Sequence, residues 1–381
     1  MSEAPSHPRP SASKSALFAG VSLIGLLLLV EGAWRALALA GLVLPPTGDR
    51  DLREEWLWVT RHLESGKNPL NIAQAQFDPE LGWIPLPNSS RPGATVNRLG
   101  QRGSEVVPVE RTDRSPRVLL VGDSYTFGAQ VNDEETYSSL LAKRYLPEGE
   151  VINLGISGYG PDQAILFYER EGVKYKPDIV VLGFFVHGIS RCAAGFKYYA
   201  KPRFELVGEE VQPSGARIPS PTELLAEYRA GSRKIAPRYP YLAEEFLDLF
   251  RKATTRKIDE TSSVWKITEG MLDRFRERAE AEGTHPFLLI IPYSEILEEK
   301  ESRSTVVAGL LVNKARASGL ACLDLGPIFR EKAPREKGPL YNGHWTARGH
   351  EIAAEALHQS LLEAGFLKSK GTPATPRVAQ P

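Results

Sequence analysis

Residues 179 to 185 read Ile-Val-Val-Leu-Gly-Phe-Phe, seven positions without one polar side chain. A strand with one wet face alternates polar and apolar residues. A run without alternation predicts a strand covered on both faces, which is the habit of parallel sheets flanked by helices. The chain around it follows the same pattern. Val118–Val121, Val151–Leu154, Phe287–Ile291 and Ala321–Leu325 are short runs rich in β-branched residues and leucine. Helical stretches fall between or after them, at 134–145, 161–171 with Pro161 in the first turn, 305–317 and 347–364. Strands joined through helices build a parallel sheet with right-handed crossovers. The predicted fold class is therefore α/β, a doubly wound, largely parallel sheet in three flavodoxin-like layers, over residues 116–366. Residues 196–282 are expected as a helical insertion with a proline-rich loop.

The N-terminus obeys a different rule. A polar leader, residues 1–14, carries Arg9 and Lys14, and Ser15–Val30 then contains no charge. Sixteen helical residues reach about 24 Å, short of a ~30 Å hydrocarbon core. Glu31 and Arg35, four residues apart, can pair on one helix face and carry the span on to residue 44. Residues 15–44 are read as a transmembrane signal-anchor, with the leader cytoplasmic and the rest exported. A cleaved signal peptide is the competing reading, since Ala36-Leu37-Ala38 and Ala38-Leu39-Ala40 resemble cleavage sites. Residues 45–115, broken by Asp78-Pro79 and by Ile84-Pro85-Leu86-Pro87, read as a juxtamembrane arm. The polar tail, 367–381, reads as disordered.

Composition narrows the function. With 47 basic and 47 acidic residues among 381 the chain is neutral, which argues against nucleic acid as a partner. Two cysteines, Cys192 and Cys322, are too few for a disulfide framework, and they fall at opposite ends of their strands. The seven histidines show no metal-ligand spacing, so neither a metal site nor a cofactor is expected.

In an open α/β sheet, ligands bind beyond the carboxyl ends of the strands. The first such loop reads Val-Gly-Asp-Ser-Tyr-Thr-Phe-Gly, which sets the Ser124 hydroxyl at the sheet edge beside a helix start. It is not the Gly-x-Ser-x-Gly nucleophile elbow, because Thr126 occupies the second glycine position. Gly155, Gly158 and Gly160 come in the wrong order for a dinucleotide fingerprint. His350 is read as serving the start of the last helix, and Asp324 as a cap or packing residue.

Four ordered blocks resemble the SGNH/GDSL hydrolase family, in its membrane-anchored branch. They are Gly122-Asp123-Ser124, Asn153 to Gly158, Phe184 to Gly188, and Asn342-Gly343-His344-Trp345. Asp78 to Trp83 is similar to the arm that precedes the domain in that branch. The resemblance implies Ser124 as nucleophile, His344 as its base, and an oxyanion hole from the Ser124 and Gly158 backbone N–H groups. Two positions depart from the family pattern. His187 stands where a third-block asparagine completes the oxyanion hole, and Asn342 stands where an aspartate orients the histidine. A histidine N–H can donate as an amide does, and Asn342 can accept from His344 Nδ1–H but cannot offset the imidazolium charge. The expectation is a membrane-tethered, extracytoplasmic acyl esterase with catalytic Ser124, His344 and Asn342, and Ser124, Gly158 and His187 around the oxyanion. Its substrate would be an acylated small molecule, lipid or glycan. An O-acetyltransferase for exported glycan and a degenerate glycan- or lipid-binding domain are the alternatives.

Overall fold

The computed structural model describes residues 12–40, 43, 49–63, 70, 72–208, 210–215, 217–233, 240–243, 246–247, 249, 258–298, 301–335 and 338–368. Most of the polar leader, the Pro45-Pro46 junction and nearly all of the tail lie outside these residues.

Five strands form the central sheet: β1 (Arg117–Gly122), β2 (Glu150–Gly155), β3 (Ile179–Phe185), β4 (His285–Ile291) and β5 (Ala321–Asp324). Their order is β5-β4-β3-β1-β2 and every pairing is parallel. This is the flavodoxin-like order, with its topological switch between β1 and β3. The unbroken apolar run 179–185 is β3, and all seven of its residues are buried.

Alternate strand residues point to opposite faces. On one face Val118, Leu120, Val181, Phe287 and Leu289 share a core with Phe329, Ile352, Leu357 and Leu361. Phe329 comes from α7 (Leu325–Lys332), and the other three come from α8 (Ala347–Glu363). The opposite face packs α4 (Pro161–Arg170), α5 (Ser263–Ala281) and α6 (Arg303–Ser318), with Tyr168 meeting Phe275 edge-on at 5.8 Å. The sandwich has helices on both sides, as the apolar runs required.

Three local readings change. Residues 134–145 are not one helix: a 3-10 turn at Asp133–Glu135 gives way to a short α-turn at Tyr137–Leu140 and a π-turn at Leu141–Tyr145. Thr136 is the break. Its backbone is extended (ψ 145°) and its hydroxyl caps a fresh start by accepting from the Ser139 N–H. The insertion is not wholly helical either, since hairpins at Phe196–Ala200 and Phe204–Pro213 precede its helices. From residue 70 onward the expected arm is part of the same compact unit as the sheet. Trp83 is fully buried and donates to the Ser157 carbonyl at 3.1 Å, while the Tyr159 hydroxyl donates back to the Trp83 carbonyl at 2.6 Å. Arg170 clasps Asp78 with two nitrogens at 2.9 and 3.0 Å.

A second compact unit combines the N-terminal residues to 65 with residues 225–255. In it, α1 (Ala12–Leu39) is one uninterrupted helix, and α2 (Arg50–His62) is capped by Asp49. Residues 15–38 of α1, which hold an 18-residue window of mean hydropathy 2.1, are long and apolar enough to cross a membrane. The Glu31–Arg35 pair forms at 2.6 Å, and Glu31 also accepts the Tyr241 and Leu242 backbone N–H groups. Glu55 gathers the Tyr228 hydroxyl and the Arg233 guanidinium, each at 2.7 Å.

Candidate active site

The loop after β1 turns directly into a single helical turn, α3 (Ser124–Phe127). Asp123 caps it, accepting the Tyr125 N–H at 2.9 Å. The turn lies against β2 because Gly155 has no side chain: a Cβ there would sit 2.4 Å from the Phe127 nitrogen. Asn153 locks the same junction, donating to the Thr126 carbonyl at 2.7 Å and the Ser138 hydroxyl at 2.8 Å. Buried Arg102 donates to the Phe127 carbonyl at 2.9 Å. Ser124 is thus fixed from three elements, on the β1 side of the sheet's switch point.

His344 arrives from the far end of the chain. Tyr341–Asn342 and His344–Trp345 pair across Gly343, whose φ of +74° suits a residue without Cβ. Trp345 is 1% exposed and anchors this small hairpin, its ring 5.1 Å from both Tyr125 and Phe329. Thr346 then caps α8. The outcome is a Ser124 Oγ to His344 Nε2 distance of 2.8 Å, across 220 residues of sequence.

The other ring nitrogen has a partner that the motif reading did not name. Gln130 Oε1 lies 3.2 Å from His344 Nδ1 and 3.0 Å from the His344 backbone nitrogen. Gln130 follows α3, in a left-handed conformation (φ +72°). Asn342, expected to orient His344, is exposed, and among the described residues no hydrogen bond joins it to the ring. The Gln130 oxygen faces both the backbone N–H and Nδ1 of His344, the place at which Asn342 was expected. No spacing rule ties residue 130 to residue 344. The available sign was weak: Gln130 is the first of three exposed polar residues, with Asn132 and Glu134, after the buried stretch Tyr125–Ala129.

His187 also departs from expectation. Its Nε2 is 3.0 Å from Glu295 Oε1 and 3.4 Å from Ser304 Oγ, and its ring stacks on Phe185. Among the described residues no hydrogen bond or ring contact joins it to Ser124 or His344. Burial pushes the Glu295 carboxyl up, but hydrogen bonds from His187 and Ser304 bring it below its ordinary value. A carboxylate in that position draws the His187 N–H away from the role of oxyanion donor.

Gly158 has φ +86° and lies between two rings: a Cβ there would be 3.1 Å from Tyr198 and 3.4 Å from Trp83. Among the described residues neither the Ser124 nor the Gly158 backbone N–H donates to a protein acceptor. Arg191 sits behind them. Its Nη1 donates to the Tyr159 carbonyl at 2.7 Å and lies 3.9 Å from Asp123 Oδ2. Burial, and then the Arg191 charge, hold the His344 imidazole below its ordinary value, so the ring is neutral over a wider pH range. Burial pushes the Asp123 carboxyl up to about 6, against the pull of Arg191 and backbone N–H groups.

The remaining polar residues have structural work. His350 is fully buried, its Nδ1 accepting the Tyr137 N–H at 3.2 Å. Asp324 caps α7 through the Gly326 N–H. Cys192 and Cys322 are both free thiols. Among the described residues no cluster of three His, Cys, Asp or Glu side chains could hold a metal ion.

No family model matches the chain, and no curated protein matches it in sequence. Several solved structures are similar to it at low identity. One is a protein described as lipolytic and of the G-D-S-L family from Desulfitobacterium hafniense DCB-2, 13% identical, with 65% of this chain and 100% of that one covered and a TM-score of 0.37. Another is LAE5, an α/β hydrolase enzyme from the metagenome of Lake Arreo, 16% identical over 67% of this chain and 98% of that one, TM-score 0.41. An acetylxylan esterase from Geobacillus stearothermophilus is 16% identical over 68% and 100%, TM-score 0.39.

Proposed function

We propose that this chain is an SGNH-type acyl esterase, tethered to a membrane by α1 with its α/β domain on the extracytoplasmic side. The observation that carries the catalytic reading is the 2.8 Å contact between Ser124 Oγ and His344 Nε2 at the carboxyl end of β1, with the Ser124 and Gly158 backbone N–H groups left uncommitted. A serine hydroxyl is a weak nucleophile until a neighbouring base takes its proton. His344 is neutral at pH 7 and in position to take it. Ser124 Oγ attacks the ester carbonyl carbon, the carbonyl π pair moves onto oxygen, and His344 becomes imidazolium. The Ser124 and Gly158 N–H groups receive the oxyanion, a contribution on the order of 10²–10³ in rate per donor. Collapse expels the alcohol, which takes the proton from His344 Nε2. Water, deprotonated by His344 in turn, releases the acid and restores Ser124.

The membrane reading rests on the length and apolarity of residues 15–38 and on the basic leader before them. Turnover of a small aryl acetate by the full chain, compared with its Ser124→Ala variant, tests the chemistry. Loss of all turnover above background in the variant supports the reading, and unchanged turnover overturns it.

A further inference from the structure

We infer that Gln130, and not Asn342, is the positioning residue for the catalytic histidine, so that the site works with a neutral Ser124–His344–Gln130 relay. This rests on the esterase reading of the same site. Two distances carry it: Gln130 Oε1 is 3.0 Å from the His344 backbone nitrogen and 3.2 Å from Nδ1.

The first contact fixes the chemistry of the second. A backbone N–H only donates, so the Gln130 atom facing it is the amide oxygen and not the NH₂ group. The same oxygen faces Nδ1, and an oxygen only accepts. Nδ1 therefore carries the proton in the neutral ring, and the Nε2 lone pair is left facing the Ser124 hydroxyl, 2.8 Å away. A single acceptor thus selects the one tautomer that can serve as general base. Were the amide turned over, it would meet the backbone N–H donor to donor and lose that bond, and its NH₂ could donate to Nδ1 only in the tautomer that leaves Nε2 protonated and unable to act as base.

An amide does this work without a charge. In an Asp- or Glu-based relay the carboxylate raises the imidazole pKa and stabilises the imidazolium of the transition state. Here nothing of that kind faces Nδ1. The groups around the ring are the Gln130 amide, the Ser124 hydroxyl, the Tyr125 ring at 4.9 Å and the Arg191 cation, with buried Asp123 beside Arg191. His350 lies within electrostatic reach from the C-terminal side. The site therefore gives up part of its transition-state stabilisation and keeps a histidine that is deprotonated to lower pH.

Four variants and two readouts test the inference: Gln130→Ala, Gln130→Glu, Asn342→Ala and Asn342→Asp. Gln130 and Asn342 are both exposed, so all four should fold. In aryl-acetate turnover Gln130→Ala should lower kcat on the order of 10²-fold with little change in KM. Gln130→Glu should keep or raise kcat and move the acid limb of the kcat/KM profile to higher pH, which a merely structural contact would not do. Both Asn342 variants should stay within about twofold of wild type, with the acid limb in place. The second readout needs no turnover. In ¹⁵N-histidine spectra of the full chain His344 should be the Nδ1–H tautomer in wild type and in Asn342→Ala, and should become a mixture in Gln130→Ala. An Nδ1–H tautomer that survives Gln130→Ala but not Asn342→Ala would overturn the inference. So would an acid limb unmoved by Gln130→Glu. If wild type turns over no ester while the tautomer behaves as stated, the esterase reading fails and the positioning role stands.

Discussion

Arg191 puts a full positive charge behind the serine, and its effect on His344 has a definite sign. The imidazole acts as a base only when neutral, so a pKa below the ordinary value extends activity towards acid. Arg191→Gln removes one of the two causes of that depression. The acid limb of kcat/KM should then move to higher pH, and a profile that stays in place or moves to lower pH would show that Arg191 does not act on His344. The meeting of Ser124 and His344 was legible in the sequence because each lies inside a contiguous motif at a strand end or helix start, where backbone geometry presents it. Gln130 was not legible. Its partner is 214 residues away, and only the turn after α3 and the Gly343 hairpin together bring them into contact. The readings of Asn342 and His187 went astray for a related reason. A motif states which residue occupies a position, but it does not report that Gln130 or Glu295 has already taken the hydrogen bond in question.

At the level of elements, two buried polar groups hold the layers around the site, and each has a measurable consequence. His350, at the start of α8, is buried with its pKa held down to about 3 from 6.5, chiefly by burial. The unfolded chain gains a proton below pH 6.5 and the folded chain does not until near pH 3. The stability from this group is therefore complete above pH 6.5 and is lost as pH falls through that window, with a ceiling of ~5 kcal/mol. His350→Gln keeps an acceptor for the Tyr137 N–H and should flatten urea-derived stability between pH 6 and pH 4, to be judged against wild type. An unchanged slope would mean that other groups govern acid unfolding. Lys201 is the second case. It is fully buried, pairs with Asp162 at the start of α4, and donates to the Ala194 and Pro202 carbonyls at 2.8 Å each. Lys201→Met strands the Asp162 carboxylate and should cost about 3–5 kcal/mol, of which Lys201→Met with Asp162→Asn recovers the larger part. Equal losses in single and double variants would argue against an ion pair. Strands β1 to β4 were readable because burial on both faces erases alternation, while half-buried β5 showed only as a short run. The break at Thr136 was not, since a threonine inside an amphipathic stretch looks the same whether it continues a helix or caps a new one.

On the scale of the whole molecule, one chain carries both an apolar N-terminal helix and an α/β domain. α1 runs 28 residues, about 42 Å at ~1.5 Å per residue, longer than a ~30 Å hydrocarbon core; the charge-free run covers about 24 Å of that core and the paired Glu31 and Arg35 fall at its edge. The full chain should sediment with membranes and resist alkaline carbonate extraction. Protease added outside sealed inverted vesicles should leave the α/β domain intact, whereas protease added to intact spheroplasts should reach it. A soluble mature form beginning near Leu39 or Gly41 would favour the cleaved signal peptide. An apolar N-terminal helix was legible from the charge-free run after Arg9 and Lys14, and residues 15–38 of the expected 15–44 span are long and apolar enough to cross a membrane. The incorporation of residues 70–115 into the sheet's own unit was not legible. Short hairpins rich in proline and glycine look like a linker until the buried Trp83 finds Ser157 and Tyr159.

The central claim is that Ser124 is a nucleophile activated by His344, and covalent labelling by a fluorophosphonate tests it most directly. A phosphonate ester with a good leaving group reacts with an activated serine oxygen and with few others. The account predicts one adduct per folded chain, on the peptide containing Ser124, absent in Ser124→Ala and slowed at least 10²-fold in His344→Ala. Labelling at another serine, or no adduct on a folded chain whose His344 is neutral, would contradict it.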